Sequence, residues 1–141
     1  AFMSPGDAIP EKPERKKARD IEGPIHRSIL AWLRVALHKD CVIWHTPNGG
    51  ARDARVGKQM KDMGALAGIP DIAFIIPRPM IATNRMFFIE VKPPGRPLST
   101  DQIETIGRLE KAGAYVAVAH SVDEARDALR KWNIATREAG T

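Results

Sequence analysis

The stretch that decides the fold is Gly68-Ile-Pro-Asp71, which runs into Ile-Ala-Phe-Ile-Ile, followed after a loop by Met86-Phe-Phe-Ile-Glu90-Val-Lys92. Both apolar runs are short, rich in β-branched and aromatic residues, and bounded by proline or glycine, which predicts two strands. If the strands form an antiparallel hairpin, Asp71 lies opposite Glu90, with Cβ atoms roughly 5 Å apart. Alternation places Lys92 on the same sheet face as Glu90.

Two opposed carboxylates repel each other, so this pair predicts a bound cation. Mg²⁺ favours oxygen ligands and commonly binds one or two carboxylates together with phosphate oxygens. A lysine beside the ion can stabilise charge that develops on a phosphate. The pattern therefore indicates metal-assisted phosphodiester hydrolysis. The alternative is a surface ion pair between Glu90 and Lys92, which would contribute little and would leave the Pro-Asp spacing unexplained.

Length and composition indicate one soluble globular domain. The chain has 141 residues, of which 43% are hydrophobic and 28% charged, enough for one core. A net charge of +5 makes an anionic partner plausible without identifying it. The single Cys41 excludes an internal disulfide framework and favours a reducing compartment, and neither a signal peptide nor a membrane span is visible. We therefore predict a cytoplasmic protein.

The two ends are predicted to lie outside the domain, which we assign to residues 21–133. Residues 1–20 are rich in proline and basic residues, which is typical of a flexible arm, and the polar residues 134–141 are expected to fray. A helix is predicted from Asp20 to His38, with Glu22 at its N-terminal end. The helix dipole favours a carboxylate there; alternatively, Glu22 reaches the metal site as a further acid.

The middle of the chain carries a basic segment. After the predicted strand Cys41–His45 comes a turn, and then Arg52, Arg55, Lys58 and Lys61 recur at every third residue. Two glycines and the lack of an apolar face argue against a helix. We therefore predict a partly ordered loop that contacts phosphates, with a solvated connection as the alternative.

The second half alternates helix and strand. Ser99 and Gln102 have the spacing of a capping box, which would explain Gln102 structurally; a helical projection also puts Gln102 on the inward face, where it could point at the acids. A strand with two apolar faces follows at Ala114–His120, and a second capping box opens the last helix. The predicted order is α-β-β-β-α-β-α, an α/β fold with a mixed central sheet flanked by helices.

These motifs together resemble the PD-(D/E)XK nuclease superfamily and, within it, the VRR-NUC family of small phage and bacterial enzymes. The matching residues are Gly68-Ile-Pro-Asp71, Phe88-Ile-Glu90-Val-Lys92, Leu98-Ser99 with Gln102, Gly113-Ala-Tyr-Val-Ala-Val and the turn Asn48-Gly-Gly-Ala-Arg52. The resemblance runs from about Glu22 to Leu129. It implies a restriction-endonuclease-like core. The triplet Glu90-Val-Lys92 alone is a weak motif, but its combination with Pro-Asp and the following glutamine is specific.

The resemblance also implies roles for individual residues. Asp71, Glu90 and the backbone carbonyl of Val91 would hold Mg²⁺ or Mn²⁺. Lys92 would orient the attacking water or stabilise the pentacovalent phosphate. Glu22 matches the acid of the family's first helix, and Gln102 matches its motif glutamine. One departure is that Gly23-Pro24 follows Glu22 directly and His26 stands where the family often has glutamine.

The function predicted from these observations is a metal-dependent endonuclease that cleaves DNA and prefers branched structures such as Holliday junctions or flaps. The family includes homodimers, so a homodimer is expected. Phosphate contacts are assigned to Arg52, Arg55, Lys58, Lys61 and Arg96. The alternative is a non-cleaving nucleic-acid-binding or assembly subunit with the same fold, although binding alone does not require opposed acids. His26, His38, His45 and His120 lack metal-ligand spacing and are expected to be structural or solvent-facing, with His45 or His120 bordering the site.

Overall fold

The computed structural model describes residues 20–47, 54–81 and 86–137. The helices are α1 (Glu22–Ala36), α2 (Ala54–Asp62), α3 (Thr100–Lys111) and α4 (Val122–Lys131), and the strands are β1 (Val42–His45), β2 (Ile72–Ile75), β3 (Met86–Val91) and β4 (Tyr115–Ala119). A short 3-10 helix lies at Arg78–Met80. The described strands form one mixed sheet in the order β1-β2-β3-β4.

The hairpin predicted from the sequence has the predicted register. β2 and β3 are antiparallel, with Ile72 opposite Ile89 and Phe74 opposite Phe87. One further step along this register places Asp71 opposite Glu90. β1 is antiparallel to β2, whereas β4 runs parallel to β3 because α3 carries the chain back to the same end of the sheet.

The core lies between one face of the sheet and the helices α1 and α4. Its buried residues alternate along the strands and recur at helical spacing on α1 and α4, as these periods require. They include Ile29, Leu33, Ile72, Phe74, Phe87, Ile89, Val91, Ala125 and Leu129. α3 lies on the other face, since its Gln102 reaches Glu90, whose strand neighbours Ile89 and Val91 face the core.

The basic segment is a helix, so the prediction of a partly ordered loop was wrong. Residues 54–62 form α2, and Gly64, with φ of +96°, ends it. The amide of Gly64 donates to the Lys61 carbonyl (2.9 Å) and that of Ala65 to the Met60 carbonyl (2.9 Å), which is the pattern of a Schellman motif. The glycine that argued against a helix is therefore its C-terminal stop. Val56 and Met60, four residues apart, supply the apolar side that the prediction missed.

Gly68 allows the loop before β2 to lie against the start of α3. Its φ is +75°, and a Cβ atom there would overlap the Asp101 carbonyl and lie 2.7 Å from the Gln102 amide nitrogen. The Thr105 hydroxyl donates to the Ala67 carbonyl (2.6 Å). These contacts hold the start of β2 beside the first turn of α3.

The C-terminal segment contacts the rest of the domain as far as Arg137. The Arg137 amide donates to the Ala36 carbonyl (2.7 Å), its Nε donates to the Leu37 carbonyl (3.0 Å), and Ile134 packs against the core. These bonds satisfy carbonyls at the end of α1. The remaining predicted tail, 138–141, and the predicted arm up to residue 19 lie outside the described residues.

Candidate active site

The two predicted acids meet at the end of the hairpin. Asp71 is 7% exposed and Glu90 1% exposed, so both carboxyl groups are largely removed from water. The Val91 amide donates to Oδ2 of Asp71 (2.8 Å). This bond joins the Asp71 side chain to β3. The other carboxylate oxygen, Oδ1, takes no part in it.

The environment of Glu90 disfavours its ionised form. Burial and the negative charge of Asp71 raise the pKa of Glu90 to about 8, against the opposing effect of Lys92. Its Oε2 is buried and has no hydrogen-bond partner. Buried polar atoms are rarely left unpaired, so this oxygen is a position where a cation would be stabilised.

Gln102 serves both of the roles that the sequence left open. Ser99 Oγ accepts from the Gln102 amide (3.2 Å), and Gln102 Oε1 accepts from the Ser99 amide (2.8 Å), which completes the capping box. The same side chain donates from Nε2 to Oε1 of Glu90 (2.8 Å). Because the cap orients the carbonyl end of the amide, the NH₂ end is directed at the acid.

Lys92 lies directly after β3, on the same face as Glu90. It is 8% exposed, and its amide donates to the Ala119 carbonyl (3.1 Å), which extends the β3–β4 pairing by one residue. A buried lysine is uncommon unless it is paired. The charge of Lys92 acts on the neighbouring carboxyl group, because it opposes the rise in the pKa of Glu90.

Glu22 stands at the edge of the site rather than at its centre. It lines an open cleft of about 590 Å³ together with Asp20, Ile21, Gly23, His26, Arg27, His45, Asp71, Pro93 and Arg96. Burial and the charge of Asp71 raise the pKa of Glu22, and Lys92 and Arg96 oppose this rise. Nη1 of Arg96 lies 4.0 Å from Oε2 of Glu22.

Two histidines that line the cleft contact each other, and one of them also contacts the backbone of Asp71. The rings of His26 and His45 meet edge to face, with centroids 4.6 Å apart, and His45 Nδ1 lies 2.8 Å from the Asp71 carbonyl oxygen. Burial and the neighbouring His45 lower the pKa of His26. The sequence predicted only that one strand-ending histidine borders the site. His120 instead contacts Glu124 through Nδ1 (2.7 Å).

The residues present fit a hard divalent cation bound by few protein ligands. Within the described ranges, no group of three or more His, Cys, Asp or Glu residues could hold a metal ion, so Glu22 does not complete a three-residue cluster with the central acids. Asp71 and Glu90 nevertheless offer two carboxylates, one with an unpaired buried oxygen. Mg²⁺ is commonly held by one or two carboxylates, with water and phosphate oxygens as the other ligands.

The predicted phosphate contacts fall in two places. Arg55, Lys58 and Lys61 are exposed on α2, and Arg96 is exposed at the mouth of the cleft. Arg52, with the turn that precedes it, lies outside the described residues. In the part of the chain that the structure describes, no helix is long and apolar enough to cross a membrane.

Comparison with known proteins identifies related chains. The family model described as VRR-NUC domain matches residues 25–123. A solved structure described as a "VRR_NUC domain protein" is 24% identical, covers 79% of this chain and 87% of that chain, and has a TM-score of 0.60. Another, described as "VRR_NUC domain", is 20% identical, covers 79% and 95%, and has a TM-score of 0.49. The first likeness supports a restriction-endonuclease-like α/β fold. No curated protein sequence matches the chain.

Proposed function

Because the chain belongs to the VRR-NUC family, whose members carry a nuclease-type domain, we propose that it is a metal-dependent endonuclease that hydrolyses DNA phosphodiester bonds. The observation that carries the proposal is the buried pair Asp71 and Glu90, in which Oε2 of Glu90 has no partner. Lys92 lies beside this pair and is itself buried. A binding domain would have no need to bury two acids that repel each other.

In this proposal Asp71, Glu90 and the Val91 carbonyl hold Mg²⁺ or Mn²⁺. The bound cation supplies Lewis acidity and a lowered pKa for water. Lys92 orients the attacking water or stabilises charge on the phosphate. Gln102 holds Oε1 of Glu90 and so turns Oε2 toward the cation. Glu22 lies at the edge of the cleft, with Oε2 4.0 Å from Nη1 of Arg96, and would act from there as a further acid.

DNA is proposed to reach the site through contacts with its backbone. Arg96 at the cleft, and Arg55, Lys58 and Lys61 on α2, would contact phosphates, which gives affinity without base reading. Such contacts suit a preference for branched DNA such as Holliday junctions or flaps. We also propose a homodimer, in which two sites could act on one branched substrate.

The function is tested by cleavage of labelled four-way junction, flap and linear duplex with Mg²⁺, with Mn²⁺ and with chelator. Glu90→Ala is compared with Glu104→Ala, which removes an exposed acid of α3. We expect metal-dependent cuts that Glu90→Ala abolishes and Glu104→Ala retains. Tight binding of DNA without cuts under any metal would refute the proposal and favour a non-cleaving subunit.

The DNA contacts are tested separately by the salt dependence of binding. Each phosphate contact contributes about 0.9 to the slope of log K against log salt on duplex DNA. Changing Arg55, Lys58 and Lys61 together to glutamine should therefore reduce the slope by about 2 to 3. The matched control changes three exposed cations elsewhere, Arg108, Arg130 and Lys131, to glutamine. If the α2 triple variant keeps the slope of the unmodified protein, the phosphate contacts lie elsewhere.

A further inference from the structure

The backbone that carries Asp71 is held by the end of β1. Asp71 lies one residue before β2, so it is not part of a regular strand. The Thr46 amide donates to the Asp71 carbonyl (2.8 Å), and the Thr46 hydroxyl donates to the Pro70 carbonyl. The acid is thus fixed by the residues that follow the neighbouring strand.

His45 adds a side-chain contact to the same carbonyl. Its Nδ1 lies 2.8 Å from the Asp71 oxygen. A carbonyl oxygen can only accept, so Nδ1 must carry a proton and donate it to this bond. His45 is an exposed residue of β1. Burial therefore does not account for its orientation, whereas this hydrogen bond does.

The ring of His45 is also held from α1. His26 meets it edge to face, with an interplanar angle of 89°, and His26 lies one helical turn after Glu22. The contacts from His26 to His45 and from His45 to Asp71 therefore connect the helix that carries Glu22 with the loop that carries Asp71.

We propose that His45 is a positioning residue for Asp71. Its Nδ1–H holds the Asp71 carbonyl and so sets the direction in which the carboxylate leaves the backbone. The inference rests on the proposed function, in which Asp71 is a metal ligand. Because the Val91 amide holds Oδ2 of Asp71 from β3, the residue is restrained at its backbone from one strand and at its side chain from the other.

This restraint matters because Mg²⁺ tolerates little variation in the positions of its ligands. Mg²⁺ requires near-ideal octahedral geometry, and residues that orient a metal ligand typically change metal affinity 10- to 100-fold when they are removed. We expect an effect at the lower end, about tenfold, because the Thr46 amide still holds the same carbonyl after His45 is changed.

The test compares His45→Ala, which has no donor, with His45→Asn, whose side-chain amide places a donor near the position of Nδ1. His120→Ala is the matched control, since His120 also follows a strand but contacts Glu124. The first measurement is the amide proton chemical shift of Val91 in the metal-free protein. This signal reports the hydrogen bond to the Asp71 carboxylate and needs neither metal nor activity.

We expect His45→Ala to move the Val91 signal and His45→Asn to return it toward its original position. Calorimetry of Mg²⁺ binding should show about tenfold weaker affinity for His45→Ala and near-normal affinity for His45→Asn. If His45→Ala does not fold, His45→Leu, which also lacks a donor but keeps more of the side-chain volume, takes its place in both measurements.

The inference is overturned if the Val91 signal is the same in all variants, or if His45→Asn is as impaired as the variant without the donor. An unmodified protein that binds neither Mg²⁺ nor Mn²⁺ would refute the proposed function. In that case the Val91 signal would still decide whether His45 positions Asp71, so the two failures are distinguishable.

Discussion

Glu90→Gln should stabilise the metal-free protein, and the gain should grow with pH. The raised pKa of Glu90, about 8 against an ordinary 4.5, means that the folded protein retains a proton that the unfolded chain releases. Between these two values the free energy of unfolding falls as pH rises. The substituted amide removes this ionisation and can still accept the hydrogen bond from Gln102.

The magnitude follows from the two pKa values. Each pH unit in this window contributes up to about 1.4 kcal/mol, and the contribution is smaller near pH 5, where the unfolded carboxyl group is still partly protonated. From pH 5 to pH 7 the stability difference between Glu90→Gln and the unmodified protein should therefore grow by about 2 to 3 kcal/mol. Above pH 8 the difference should level off.

The assay is urea unfolding at pH 5, 6, 7 and 8, at constant ionic strength and with chelator present. Glu104→Gln, an exposed acid on α3, is the control and should give a difference that does not vary with pH. A stability difference for Glu90→Gln that is flat across this range would show that the Glu90 carboxyl group is ionised at little cost, and the reasoning about the buried pair would be wrong. Glu90→Gln should also fail to bind Mg²⁺.

Three further changes separate the roles of neighbouring residues. Lys92→Met keeps the buried volume, so we expect metal affinity in calorimetry to remain within several-fold while the cleavage rate falls by about 10²-fold or more; retained turnover would remove Lys92 from the mechanism. Ser99→Ala and Gln102→Leu should each cost about 1 kcal/mol through the helix cap, but only Gln102→Leu should also weaken metal binding, and equal metal affinities would restrict Gln102 to capping. Gly68→Ala should lower the melting temperature more than Gly95→Ala does. Gly95 has a similar φ of +79°, but nothing lies within 4 Å of a Cβ atom there. Similar losses would mean that the backbone conformation alone, and not the contact with α3, requires glycine at position 68.

The central site could be predicted because it depends on local patterns. The register of the hairpin follows from two apolar runs and the loop between them, and this register alone brings Asp71, Glu90 and Lys92 together. Gln102 could be placed near the acids by helical periodicity alone. Its two roles looked like alternatives because a sequence does not show that one amide can cap a helix with its oxygen and contact an acid with its nitrogen.

The features that the sequence did not predict depend mostly on contacts between segments that are distant in the chain. His45 contacts Asp71 because β1 pairs with β2 in a register that puts His45 beside Ile72, and neither apolar pattern nor spacing fixes that register. α2 was missed because Gly64 was counted against the helix, although it lies just beyond its last turn. The polar composition of residues 134–141 led to the prediction that they fray. That composition does not show the two hydrogen bonds that Arg137 donates to the end of α1.

β3 also limits the changes that this protein can tolerate. Phe87, Ile89 and Val91 pack into the core cluster, whereas the proposed chemistry belongs to the side chains of Glu90 and Lys92, so packing and proposed reaction alternate along the end of this strand. A single-residue insertion or deletion within the strand would exchange the two sets and destroy both at once. We therefore expect a change in chain length to be tolerated less well within β3 than in the loop before it.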